Sequence, residues 1–167
     1  MIQKMEFTID TADRLVVEDI ELSGLLSHVY VAGGFTDPDE GATLFESSAV
    51  KKRGLIIAAR EKQYMDLAGI IILVLPDSPA RRLAQENEVE IHLLGVKPEY
   101  RRRGLGRMLV ESAITRARSG GYSKIILWTQ IAMQAAQKLY EANGFIYVND
   151  LIRNGRKFKV YELPLSA

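Results

Sequence analysis

A chain of 167 residues with 47% hydrophobic residues, 26% charged residues and a formal net charge of +1 has ordinary globular composition. It is long enough to bury a substantial core, and residues 1–167 are expected to form a single domain. With no cysteine and only two histidines, it is closed to disulfides, thiolate metal sites, a cysteine nucleophile and a multi-histidine metal centre, and its near-neutral charge removes nucleic acid as the default partner.

The opening MIQKMEFTID lacks the apolar core of a signal peptide, and no run approaches the roughly 18 apolar residues of a membrane span, so a cytoplasmic protein without membrane contact is expected. Met5 to Ile9 alternates as a first strand. From Ile20 the spacing of Leu22, Leu25, Leu26, Val29 and Tyr30 predicts an amphipathic helix ending near Gly33 and Gly34. Asp37 is placed to cap a second helix starting at Pro38. Leu55 to Ala59 and Ala68 to Leu75 read as a hairpin, and Pro76 to Asn87 as a polar loop. Val89 to Val96 is a fourth strand, followed by a helix over Leu105 to Arg118, a strand over Lys124 to Thr129, a helix over Met133 to Asn143, and one or two strands from Phe145. This order predicts a mixed sheet with helices on both faces.

The stretch VKPEYRRRGLGR, Val96 to Arg107, joins the fourth strand to its helix. A helix starting after Gly104 presents backbone N–H groups with no intrahelical acceptor, at the positive end of its dipole. Gly104 and Gly106 allow an anion close to the backbone, and Arg101, Arg102, Arg103 and Arg107 surround it with charge. The spacing lacks the Lys-Ser/Thr of a P-loop and the third glycine of a dinucleotide fingerprint. What remains is Arg-x-x-Gly-x-Gly, suited to a pyrophosphate, with a solvated basic turn as the alternative.

EIHLLGVKPEYRRRGLGRMLVESAITRARSGGYSKIILWT, and AAQKLYEANGF after it, together resemble the GNAT superfamily of acetyl-coenzyme A-dependent N-acyltransferases, in a bacterial-type form. The resemblance implies an α/β (α+β mixed) fold: a central mixed, mostly antiparallel sheet of six to seven strands, helices on both faces, and a splayed fourth and fifth strand pair. It implies that backbone amides from Arg101 to Gly106, Leu105 included, hold the coenzyme pyrophosphate, with Arg107 close by. The pantetheine arm is implied to lie in the splay, against backbone near Leu94, Gly95 and Val96. Glycine inside a strand marks a bulge or a close backbone approach, and Gly95 fits that picture. Gln130, Met133 and Ala136 fall where relatives contact the coenzyme, although Met133 stands where many carry a polar residue.

Acyl transfer to an amine needs a base for the ammonium, a donor for the oxyanion and an acid for the departing thiolate. Strand alternation puts Glu90, His92, Leu94 and Val96 on one face and Val89, Ile91 and Leu93 on the other. Ionisable groups in an apolar strand are costly to bury. Glu90 stands where many superfamily members carry the glutamate that deprotonates the amine, with His92, which titrates near neutral pH, assisting or serving as the base itself. A surface ion pair for Glu90 and a structural hydrogen bond for His92 remain as alternatives. Tyr140, in the family-like segment LYEANGF, is the implied acid, with plain packing as its alternative. A backbone N–H near Leu94 or Val96 is the expected oxyanion donor. Tyr30, Phe35, Asp37 and Asp39 are candidates on the acceptor side, the acids attracting an ammonium.

Acetyl-CoA is thus the expected co-substrate, with no metal, and a primary amine the acceptor in a ternary complex. A non-catalytic acyl-CoA sensor of the same fold is the alternative. The resemblance admits a homodimer, though no segment marks an interface.

Overall fold

The computed structural model describes residues 4–165. The alternating and β-branched runs form seven strands: β1 (Phe7–Thr11), β2 (Leu55–Glu61), β3 (Leu67–Val74), β4 (Glu88–Val96), β5 (Lys124–Gln130), β6 (Ile146–Arg153) and β7 (Arg156–Pro164). They build one sheet in the order β1-β2-β3-β4-β5-β7-β6, with every pair antiparallel except β4–β5. The first strand lies a little later in the chain than its alternation suggested.

Helix α1 (Asp19–Leu26) runs into a π-helical turn at Ser27–Val31, and α2 (Pro38–Leu44) follows. Asp37 precedes α2 but makes no side-chain cap; its carboxylate turns to Arg156 instead, at 3.4 Å. A short α3 (Ser47–Lys51) escapes the sequence pattern because five residues carry too little periodicity, yet Glu46 caps it through the amides of Ser48 and Ala49. A 3-10 turn at Pro98–Tyr100 and helices α4 (Leu105–Ser119) and α5 (Gln134–Ala142) complete the helical elements among the described residues. No described helix is long and apolar enough to cross a membrane.

Each sheet face has its own core. On one, Leu105, Leu109, Val110 and Ala113 of α4 pack on Ile71, Val89, Ile91 and Leu127. On the other, Leu22, Leu25, Leu26 and Val29 pack on Ile56, Ile70, Ile72 and Val74. The central strands β2 and β3 are covered on both sides, which is why they read as unbroken apolar runs.

The decisive irregularity lies in β4. His92 pairs with Ile72 and Gly95 with Ile70, so Leu93 and Leu94 together oppose the single residue Ile71. Leu93 takes a left-handed conformation, φ 51°, which for a non-glycine residue costs roughly 1–2 kcal/mol. Such a bulge bends its strand and resets its alternation. Leu94 and Val96 therefore pack toward the α4 core, while Glu90 and His92 share the opposite face with their partners Val74 and Ile72. The strict alternation expected for Glu90 through Val96 is corrected accordingly. Gly95 is not the bulged residue; it faces α1, where an added Cβ would sit 3.2 Å from Leu25 and 3.5 Å from Val29.

Parallel pairing between β4 and β5 ends at Ile91↔Leu127, although β4 stays on β3 as far as Val96 and β5 stays on β7 as far as Gln130. The two strands diverge from there. Gly95→Val overpacks the α1 contact and should lower stability by about 1–3 kcal/mol, read as an earlier urea midpoint with an unchanged slope.

Candidate active site

The divergence opens a cavity of about 370 Å³. Its walls come from both strands, with Ile91 to Leu94 on one side and Trp128 to Gln130 on the other. His92 and Trp128 meet edge to face at 4.8 Å where the strands begin to part. Tyr140 enters from the α5 side and Tyr30 from the α1 side, so a single cavity is touched from both faces of the sheet.

Glu90 is fully buried, at 0% exposure. Its Oε2 accepts from the backbone N–H groups of Arg82, Leu83 and Ala84 at 2.9, 2.6 and 2.7 Å, and its Oε1 meets His92 Nε2 at 2.8 Å. Burial alone would raise its pKa, but His92 and these amides outweigh it and bring the carboxyl from 4.5 down to about 2. Such a carboxylate is a very weak base. Both of its oxygens are committed to the protein, Oε2 to the three amides and Oε1 to the His92 ring.

A carboxylate can only accept, so the imidazole places its Nε2–H toward Glu90 and keeps Nδ1 as the free acceptor. Burial lowers the pKa of His92; Glu90 opposes this, the charges of Arg53 and Arg82 reinforce it, and the balance lies below the ordinary 6.5. The lowered pKa favours the neutral ring, protonated on Nε2 alone, and the ring lines the cavity.

Tyr140 is 5% exposed and packs edge to face on Phe145 at 5.7 Å. Its hydroxyl has no hydrogen-bond partner among the described residues, and burial first, then Tyr30, push its pKa up, which keeps it a neutral phenol and a weaker acid than a free one. The Tyr30 hydroxyl donates to the Leu94 carbonyl at 2.9 Å, occupying one backbone group that the splay uncovers.

The basic turn is built as an open anion nest. Arg102 and Gly104 are left-handed, at φ 61° and 77°, and no side chain caps α4. The backbone N–H groups from Arg102 to Arg107 have no acceptor among the described residues. Gly104 is needed for its conformation, since its missing Cβ would meet nothing within 4 Å, whereas a Cβ on Gly106 would approach Leu139 at 3.1 Å. Arg101 folds back to the Val96 carbonyl and Arg107 pairs with Glu111 at 2.8 Å. The exposed Arg102 and Arg103 keep their charge unpaired among the described residues.

Leu94, Gln130, Met133 and Ala136 line the cavity, whereas Gly95 and Val96 do not. Gln130 spends its amide N–H on the Phe35 carbonyl at 2.9 Å, so it holds the loop before α2 in place. Asp37 and Asp39 lie outside the cavity wall, and the exposed Asp37 pairs with Arg156 at 3.4 Å. Sequence reasoning missed Trp128, which strand parity could have found, because Ile126 pairs with Glu90 and Trp128 follows on the same face. It also missed Arg53, Arg82, Arg153 and Arg156, which converge on the cavity from three separate segments. Among the described residues no group of three or more His, Cys, Asp or Glu could hold a metal ion.

The family model described as Acetyltransferase (GNAT) family matches residues 22–145. The chain belongs to that family. It is 37% identical over 75 residues to N-acetyltransferase family 8 member 3 of Rattus norvegicus, covering 45% of this chain and 32% of that relative. The chain matches less than two fifths of the length of the curated relatives similar to it. The fold is similar to an acetyltransferase of the GNAT family from Staphylococcus aureus Mu50, with TM-score 0.75 at 17% identity over 96% of this chain and 100% of that one. It is also similar to a Bacillus subtilis acetyltransferase solved in complex with CoA, with TM-score 0.67 at 22% identity over 96% and 100% of the two chains.

Because the folded pKa of Glu90 lies below its ordinary 4.5, its hydrogen bonds stabilise the fold above that pH and lose their effect as the pH falls toward 2. Their contribution is on the order of 3 kcal/mol. Glu90→Gln should flatten the stability profile across that window, measured by urea denaturation at successive pH values.

Proposed function

We propose that this protein transfers an acetyl group from acetyl-CoA directly to a primary amine, both substrates being bound at once. The observation that carries this reading is the single cavity reached from both faces of the sheet. The anion nest and Tyr140 stand on the α4–α5 side, and His92 with Tyr30 on the α1–α2 side. A thioester and an amine can enter from opposite sides and meet in the strand gap, which supplies proximity without a covalent enzyme intermediate.

The pyrophosphate would rest on the amides from Arg102 to Arg107, and the pantetheine would run along the β4 backbone that β5 no longer pairs. His92 Nδ1 takes the ammonium proton, directly or through one water, while Glu90 holds the ring and stabilises the imidazolium that forms. The amine then attacks the thioester carbonyl; unpaired β4 backbone near Leu94 receives the oxyanion, and Tyr140 protonates the departing thiolate. Among the family's reactions this one matches the relative named an N-acetyltransferase.

Thiol release from acetyl-CoA should depend on an added amine. His92→Gln should lower kcat by roughly 100- to 10,000-fold, and Tyr140→Phe should also lower kcat, with coenzyme affinity by calorimetry little changed in both. The acid limb of the kcat/KM profile should fall below pH 6.5, following the lowered pKa of His92. Arg102→Ala combined with Arg103→Ala should instead weaken coenzyme binding, increasingly so at low salt. Tight coenzyme binding with no amine-dependent turnover would favour a ligand-sensing module.

A further inference from the structure

We infer that the amine accepted in this cavity also carries an anionic group, a carboxylate or a phosphate, and that Arg53 binds it. This rests on the acetyl-transfer reading for the amine itself. Four arginines line the cavity, Arg53, Arg82, Arg153 and Arg156, against one carboxylate, Glu40. Arg156 and Glu40 neutralise each other at 3.4 Å, and Arg156 also donates to the Phe35 carbonyl. Arg82 donates only to the carbonyls of Pro79 and Arg81.

Arg53 is different. It is half-buried, and its guanidinium has neither a hydrogen-bond nor an ion-pair partner among the described residues. Its backbone is fixed at both ends, the N–H bonding the Val50 carbonyl at 3.1 Å and the carbonyl accepting from Ser78 Oγ at 2.6 Å. The side chain lines the same cavity as Tyr30, Arg82 and His92. Holding a cation partly out of water beside a second cation, with no ion-pair partner of its own, is unfavourable until a ligand supplies one.

The coenzyme is not that ligand. Its phosphates are accounted for at the basic turn before α4, and the acetyl group that reaches the splay is neutral. Arg53 and Arg82 act at His92, where the amine must lose its proton, so the anion belongs a few bonds away on the same molecule. A planar guanidinium fork suits a carboxylate or a phosphate equally, and the positive cavity draws such an acceptor in while repelling polycations.

The test pairs each acceptor with its neutral counterpart. Standard amino acids are compared with their carboxamides, and phosphoethanolamine with ethanolamine, by thiol release and by calorimetric binding to the protein loaded with CoA. The anionic member should have a kcat/KM or an affinity roughly 10- to 100-fold better, the size of a charge-assisted hydrogen bond. The carboxylate and phosphate arms show which anion is preferred. Arg53→Gln should collapse that ratio, and Arg53→Lys should restore part of it. Equal handling of both members, a preference for polyamines, or a ratio that survives Arg53→Gln would overturn the inference while leaving acetyl transfer standing. Selective binding of anionic amines with no thiol release would support the inference and sink the acetyl-transfer reading.

Discussion

One left-handed residue, Leu93, governs the centre of this molecule. Its bulge puts two β4 residues against one on β3, bends β4 away from β5, and leaves backbone unpaired in the middle of a sheet. A buried strand edge without partners is ordinarily a liability. Here it forms the wall of a cavity, and the strain at Leu93 is sustained because β4 stays bonded to β3 on both sides of the bulge. The edge-to-face contact of His92 and Trp128 sits where the strands part, so the aromatic pair marks the closed end of the gap.

The same bulge sorts the side chains. Before it, Glu90 and His92 face the α1–α3 side; after it, Leu94 and Val96 turn to the α4 core. Had the alternation continued unbroken, two apolar residues would have joined the ionisable pair. Instead the pair stands alone, with Glu90 sealed beneath the amides of Arg82, Leu83 and Ala84 and the imidazole projecting into the space beyond. A carboxylate so thoroughly satisfied serves as an anchor. Its negative charge restrains the fall in the histidine's proton affinity that burial and two nearby arginines cause.

Charge is distributed with equal economy on the two sides of the sheet. The turn before α4 presents unpaired amides and arginines outward, where a large polyanion can be met in water. Of the cavity's arginines, Arg53 and Arg156 are half-buried, where surrounding water screens their charge less than at the exposed turn. A chain with a net charge of +1 thus contains two separate positive regions, and neither is visible in the total.

Local features were legible in the linear chain. The strand and helix order, the hairpin and the Arg-x-x-Gly-x-Gly turn each depend on residues within one or two turns of each other, so spacing alone reveals them. Short α3 lacked enough residues to show a period. The surroundings of Glu90 were out of reach, because nothing in EIH says that amides from the preceding polar loop will bond its carboxylate. Arg53 and Arg82 belong to no local pattern in the chain, and only the fold brings them to the cavity. Spacing and motif are properties of neighbours along the backbone, and they carried the element order, the family resemblance and the glycine-rich turn. The surroundings of Glu90, His92 and Arg53 are properties of neighbours in space, and only the folding of distant loops onto the parted strands decided them.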